Sequence, residues 1–115
     1  MTKVVFYRQN GTYYGFKESG HADVADFGED VLCAALSAMS MLVINTLETV
    51  FASDIEYTVD EKTTEITMLC RSAVTGEEKQ QYALGGVIYG YFLQLNELME
   101  DYPDALDVDV AARPL

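Results

Sequence analysis

Histidine, tryptophan, proline and basic side chains are all scarce in this 115-residue chain, which holds 1 His, no Trp, 2 Pro and 7 Lys+Arg. His21, Cys33 and Cys70 are its only His and Cys residues and show no paired ligand spacing, so no structural zinc site and no metal or cofactor is expected. Two cysteines make no disulfide framework, a core of this size needs none, and Met1-Thr2-Lys3 leads into no signal peptide. A reducing cytoplasm is therefore expected. With only 2 Pro and 8 Gly the chain is neither collagen-like nor of low complexity. The longest apolar run, Val31 to Ile44, is broken by Ser37 and Ser40 and falls short of the roughly 20 residues that span a bilayer. It predicts a buried helix in a soluble protein, with no membrane partner. The scarcity of cations against 19 Asp+Glu leaves a formal charge of -12, which repels phosphate backbones and anionic lipid. Direct nucleic-acid binding is thereby disfavoured, and a basic protein or peptide becomes the expected partner.

What the chain does have is apolar substance: 50% of its residues are hydrophobic, enough for the core of one domain spanning residues 1–115. Lys3 to Gln9 is rich in β-branched and aromatic residues, and Asn10-Gly11 supplies a turn that tolerates positive φ, so a β-hairpin opens the chain. Alternation along its second strand, Thr12 to Glu18, predicts Tyr14 and Phe16 on one face and Tyr13, Gly15 and Lys17 on the other. His21 to Gly28 lacks periodicity and reads as an exposed loop. From Glu29 to about Phe51, Leu32, Leu36, Met39, Val43 and Val50 form one stripe, and Val31, Ala35, Ala38 and Leu42 a neighbouring one. That pattern predicts a helix covered on most sides.

Two strands follow around a polar Asp60 to Thr63 turn. Ile55, Tyr57 and Val59 alternate in the first, and Ile66, Met68 and Cys70 alternate in the second, where they face the core. A second long helix runs from about Glu77 to Asp101 and is stopped by Pro103. Its small residues Ala83, Gly86 and Gly90 are read as internal packing rather than a dimer seam. Leu106, Val108 and Val110 recur at period two, as in a short edge strand or a loose tail. The ββ-α-ββ-α order predicts an α+β two-layer sandwich, with a four-stranded antiparallel sheet packed against two long helices.

The constellation that carries chemistry is His21 with Cys33. A thiol attacks carbonyls as its thiolate, an ordinary cysteine with a pKa of about 8.5 is mostly protonated at neutral pH, and both a neighbouring imidazolium and a helix N-terminus favour the thiolate. Glu29, Asp30 and the overall negative charge act in the opposite direction, but they are solvated and screened over about 8–10 Å. From spacing alone two plainer readings stay open: Cys33 as a small core residue and His21 as a solvated loop residue. Ser37, one turn beyond Cys33, fits either a site hydrogen bond or simple helix packing. Cys70 has no chemical role on this reading.

The segment Ser19-Gly20-His21-Ala22, followed by Phe27-Gly28-Glu29-Asp30-Val31-Leu32-Cys33-Ala34-Ala35-Leu36-Ser37-Ala38, resembles the ribosomal-processing cysteine proteases called Prp, formerly the YsxB-like proteins. The twelve-position interval between His21 and Cys33 also resembles that family's. The likeness runs through the opening hairpin, the second strand pair and the glycine-containing final helix. Leu32, Leu36 and Phe27 depart from the residues most common there. The resemblance implies a cysteine endopeptidase that removes the N-terminal extension of large-subunit ribosomal protein twenty-seven and cuts after a Phe, with His21 and Cys33 as its catalytic dyad. It also implies a hydrophobic pocket near Cys33 and a homodimer. From its position alone, joining the base to the nucleophile with no strong structure of its own, the loop Ala22 to Phe27 is expected to form a cover that orders when the extension binds. Amides near Leu32 and Cys33 are candidates for holding the oxyanion. Asp23, Asp26 or Ser37 could orient the imidazole, although a dyad needs no third member. Two other classes compete: a non-catalytic acidic module that binds a basic ribosomal protein, and a thiol redox sensor, which would lack a resolving cysteine if Cys70 is buried.

Overall fold

The computed structural model describes residues 1–20 and 27–115. Strands β1 (Thr2–Gln9) and β2 (Thr12–Ser19) form the opening antiparallel hairpin. Its turn has positive φ at both Asn10 (51°) and Gly11 (81°), the geometry that matches the right-handed twist of the flanking strands. Helix α1 (Phe27–Asn45) continues into a π-helical turn, Thr46–Val50. Then come β3 (Glu56–Val59), β4 (Ile66–Leu69), the short helix α2 (Ser72–Thr75), the long helix α3 (Glu78–Asp101) and β5 (Leu106–Ala112).

The sheet has five strands in the order β3-β4-β2-β1-β5 and is mixed, where four antiparallel strands were expected. Its added member is β5, which runs parallel to β1 from Thr2↔Leu106 to Arg8↔Ala112. The period-two pattern of the tail was visible in the sequence, but its pairing was not, because β1 is a hundred residues away. The partner chosen is the one that buries Leu106 and Val108 beside Val4 and Phe6. Backbone bonds close both ends of this pairing, from Thr2 N–H to Ala105 O (2.8 Å) and from Arg113 N–H to Arg8 O (3.0 Å).

A β-bulge overturns the facing predicted for β2. Register shifts between Tyr7 and Arg8, so Tyr7 opposes Gly15 while Arg8 opposes Tyr13, and Tyr14 is the extra residue. Beyond the bulge, alternation restarts on the opposite face. Tyr13 joins Phe16 on the helix side, where it stacks on Phe92 (centroids 5.2 Å apart) and meets Phe6 edge-on. Tyr14 turns to the other side, stacks on Tyr7 at 6.0 Å, and donates its hydroxyl to Arg113 O at 2.7 Å. That outer face also carries the Lys17–Glu65 and Arg71–Glu56 ion pairs, both solvated and worth little individually.

The helices cover the inner face. Leu32, Leu36, Val43, Ile44 and Leu47 from the first helical segment meet Leu84, Ile88, Tyr91 and Leu95 of α3 over Phe6, Phe16 and Met68. Helix α3 begins in a capping box, in which the Glu77 side chain accepts from the Gln80 amide and Gln80 accepts from Glu77 N–H at 3.0 Å. It ends at Tyr102, which sits outside the helical region as expected of a residue before proline. Asp60 Oδ1 accepts from the amides of Lys62 and Thr63, which explains the polar turn between β3 and β4.

Four further expectations need correction. Helix α1 is covered along one stripe only, and Val31, Met41 and Leu42 are exposed, because a single sheet and α3 cannot enclose it. With the π-helical turn, the apolar stretch Val31–Val50 reaches 20 residues, long and apolar enough by length and composition to cross a membrane. In the fold one stripe of it packs into the core. The small-residue packing in α3 falls on Gly85, where a Cβ would come within 2.8 Å of Thr12, whereas Gly86 and Gly90 face open space. Strand β3 is exposed along its whole length, so its alternation buries no face.

Gly15 lies at the bulge, where an added Cβ would collide with the Met68 carbonyl and reach 2.8 Å from the Leu69 side chain. Gly15→Ala is therefore expected to destabilise the protein by about 1–3 kcal/mol, as overpacking does. Urea unfolding checks this, and an unchanged midpoint would contradict the bulge packing.

Candidate active site

Strand β2 ends at Ser19, and Gly20 follows with φ of +79°. A side chain at Gly20 would collide with the Met1 carbonyl, so the chain leaves the sheet here through a position that only glycine fills without strain. His21 comes next, and it lies outside the described residues together with residues 22–26 of the expected cover, Asp23 and Asp26 among them, whereas Phe27, its last member, is the first residue of helix α1. The histidine and the cysteine are therefore approached from their two flanks, the end of β2 and the start of α1.

Helix α1 starts at Phe27, which puts Cys33 in its second turn. Cys33 is half-buried, between the buried Leu32 and the exposed Ala34, at the margin where the core stripe meets solvent. Its neighbour Leu32 packs in the core, so the backbone at Cys33 is anchored on that side. Its position corrects two expectations. The helix dipole acts chiefly within the first turn, so a second-turn thiol gains less from it. The amides of Leu32 and Cys33 lie inside the helix, committed to carbonyls four residues back, and the unspent amides belong to the first turn at the Phe27 end. Ser37 is exposed one turn further on, and its carbonyl accepts from Ser40 Oγ at 3.2 Å.

Cys70 is fully buried, with its Sγ 3.5 Å from Ser53 Oγ. Among the described residues no group of three or more His, Cys, Asp or Glu side chains could hold a metal ion. A cavity of about 590 Å³ lined by Arg8, Tyr13, Tyr82 and Tyr89 lies at the hairpin-turn end of β1 and β2, the opposite end from Gly20. It is not the pocket expected beside Cys33.

Residue-by-residue reading of the sequence missed a buried polar junction behind this region. Glu18, three positions before His21, is 1% exposed, and its Oε1 accepts a 2.6 Å hydrogen bond from the Tyr91 hydroxyl of α3. Burial pushes the Glu18 carboxyl above its usual range, partly offset by the Tyr91 bond. Burial and the neighbouring carboxylate push the Tyr91 phenol far upward, so it remains a protonated donor. The signal was there: Glu18 follows Phe16 at period two and so shares its inward face.

Solved structures first define the class, an α+β fold with a five-stranded mixed sheet. SMU.848 from Streptococcus mutans aligns with TM-score 0.81 at 24% identity, covering 98% of this chain and 99% of that one. The ribosomal processing protease Prp from S. aureus, in complex with a substrate peptide, aligns with TM-score 0.79 at 15% identity, covering 96% and 100%. The same S. aureus protease with a covalently linked product peptide aligns with TM-score 0.77 at 17% identity and the same coverage. No curated protein matches the sequence. The family model for cysteine protease Prp matches residues 1–107, and the chain belongs to that family of cysteine proteases.

The raised carboxyl of Glu18 has a consequence for stability. The folded state holds this proton more tightly than the unfolded chain, so the contribution is present below the ordinary carboxylate pKa and is lost as pH rises through the higher native value. Glu18→Gln removes that loss. The unfolding free energy of Glu18→Gln relative to wild type is expected to rise between about pH 4 and about pH 7, as read by urea titration at each pH. A difference that stays flat across this interval would show that Glu18 titrates normally.

Proposed function

We propose that this member of the Prp family is an endopeptidase that removes the N-terminal extension of large-subunit ribosomal protein twenty-seven, cutting after a Phe with His21 and Cys33 as a catalytic dyad. The observation that carries the reading is Cys33 itself: within the family match, it stands on the core-to-solvent margin of α1, at the cysteine of the Gly-His-Ala…Cys-Ala-Ala motif. His21 takes the Cys33 proton, and the thiolate attacks the carbonyl carbon after the Phe. The resulting oxyanion is held by first-turn amides of α1. His21 then protonates the leaving amine, and water, deprotonated by the same imidazole, hydrolyses the acyl-enzyme.

A charge of -12 suits a basic ribosomal protein and disfavours nucleic acid, and the reading places the enzyme in the cytoplasm. It also includes a homodimer, supported by the stripe of Tyr82, Gly86, Tyr89 and Leu93 that α3 leaves exposed. The competing redox reading loses support because Cys70, the only other cysteine, is fully buried.

Mass spectrometry of the extended ribosomal protein after incubation with wild type, Cys33→Ala and His21→Ala tests the proposal. Wild type is expected to cleave after one Phe, and each variant to lose at least about a thousandfold in rate. An intact substrate that nonetheless binds wild type would replace the enzyme with an acidic binding module. If charge steers the encounter, kcat/KM falls roughly several-fold between low and high salt, while kcat on a short uncharged peptide does not change. A salt-independent kcat/KM would remove the steering role.

A further inference from the structure

The hairpin-turn end of the sheet, opposite the end at Gly20, holds the cavity of about 590 Å³, a volume within the range of ligand pockets. Its shape follows from two neighbouring glycines of α3. Gly85 brings the helix so close to the hairpin that a Cβ there would come within 2.8 Å of the Thr12 side chain, while at Gly86 a Cβ would meet nothing within 4 Å. The helix therefore docks at Gly85 and leaves open space beside Gly86, walled by Tyr13, Tyr82 and Tyr89. Tyr13 and Tyr89 stack with ring centroids 4.9 Å apart, which fixes one aromatic wall, and Tyr82 stands exposed at the rim. Arg8 opposes Tyr13 across the strands, and cross-strand partners share a face, so the guanidinium also leaves the sheet on the helix side.

Arg8 supplies the charge of this cavity. The chain has 7 Lys+Arg against 19 Asp+Glu, yet among the described residues the two ion pairs engage Lys17 and Arg71, not Arg8, and no acidic side chain lines the cavity. The guanidinium carbon lies over the Tyr13 ring, 5.9 Å from its centroid, an arrangement that orients the planar fork and keeps its N–H groups for a carboxylate. Gln81, also in the lining, donates its Nε2 to Gly76 O at 2.8 Å, and its Oε1 is the acceptor that a peptide N–H needs. We propose that this cavity is a second binding site, for a peptide chain end whose last residue is aromatic, with the ring against Tyr82 and Tyr89 and the α-carboxylate on Arg8. A single guanidinium among tyrosines selects a planar body with an anionic head, and a neutral chain end forgoes the charge-assisted bonds. A cysteine protease supplies such ends, because every peptide bond it hydrolyses leaves a new α-carboxylate.

The chain has no Trp, so a tryptophan-ended probe is excited without background from the protein. Acetyl-Gly-Gly-Trp with a free carboxylate, and the same peptide as its C-terminal amide, are titrated with the whole protein and read by indole emission and anisotropy. Wild type is expected to bind the acid at least about tenfold more tightly than the amide. Arg8→Gln removes that preference by weakening the acid and leaving the amide unchanged. Gly86→Phe, whose Cβ meets no neighbour, fills the cavity and weakens both. Equal affinity for acid and amide in wild type overturns the proposal, as does an acid affinity that Arg8→Gln leaves unchanged, the result expected of a probe held near Cys33 instead. Sedimentation tests the other occupant: a wild-type dimer that binds no probe and is split by Gly86→Phe places a second copy in the cavity and overturns the proposal as well. If Gly86→Phe fails to fold, Arg8→Gln carries the decision.

Discussion

Strand β2 lies between β1 and β4 at the centre of the sheet and is covered on both sides, and the place where the chain leaves the sheet depends on that burial. Tyr13 and Phe16 reach the helix layer, while Tyr14 reaches the outer face under the chain's last residues. The bulge makes this two-sided burial compatible with a single strand, because the extra residue puts Tyr13 and Phe16, three positions apart, on the helix side while Tyr14 fills the outer layer. A strand gripped in this way cannot slip, so the point at which the chain leaves the sheet, at Gly20, is as fixed as the core itself.

Helix α1 is held less completely. Its buried stripe is continuous from Leu32 to Leu47, but its outer side is apolar and open at Val31, Met41 and Leu42. The stripe anchors the helix, and the half-buried Cys33 sits beside its first member, Leu32. Bidentate pairing of Arg71 with Glu56 and the Lys17–Glu65 pair occupy two of the few cations on the outer sheet face.

Much of this was legible in the sequence where the signal is local. Asn10-Gly11 forms the turn its φ preferences require, Asp60 organises the turn that its side chain can cap, and the inward alternation of Met68 and Cys70 held. What failed depended on distant residues. The bulge at Tyr14 follows from packing on both sides of the sheet, which no count of alternation along β2 contains. The partner of β5 is set by a strand at the other end of the chain, and the exposure of Gly86 and Gly90 by which flank of α3 meets the hairpin. For the site, the motif identified the residue types and their spacing. It could not show that Cys33 lies a full turn inside the helix, because helix starts depend on how the preceding loop docks.

The parallel pairing of β5 with β1 joins residue 2 to residue 106, and it sets the order in which the molecule can be assembled. Local hairpins and both long helices can form early, since their contacts lie close along the chain. The outer edge of β1 must wait until nearly the whole polypeptide is present and a loop of that length has closed, an entropic step that slows folding. Until then β1 presents unpaired backbone groups beside an exposed apolar strip, a surface prone to pairing with other chains. Newly made protein therefore passes through an adhesive stage that ends when its final strand docks.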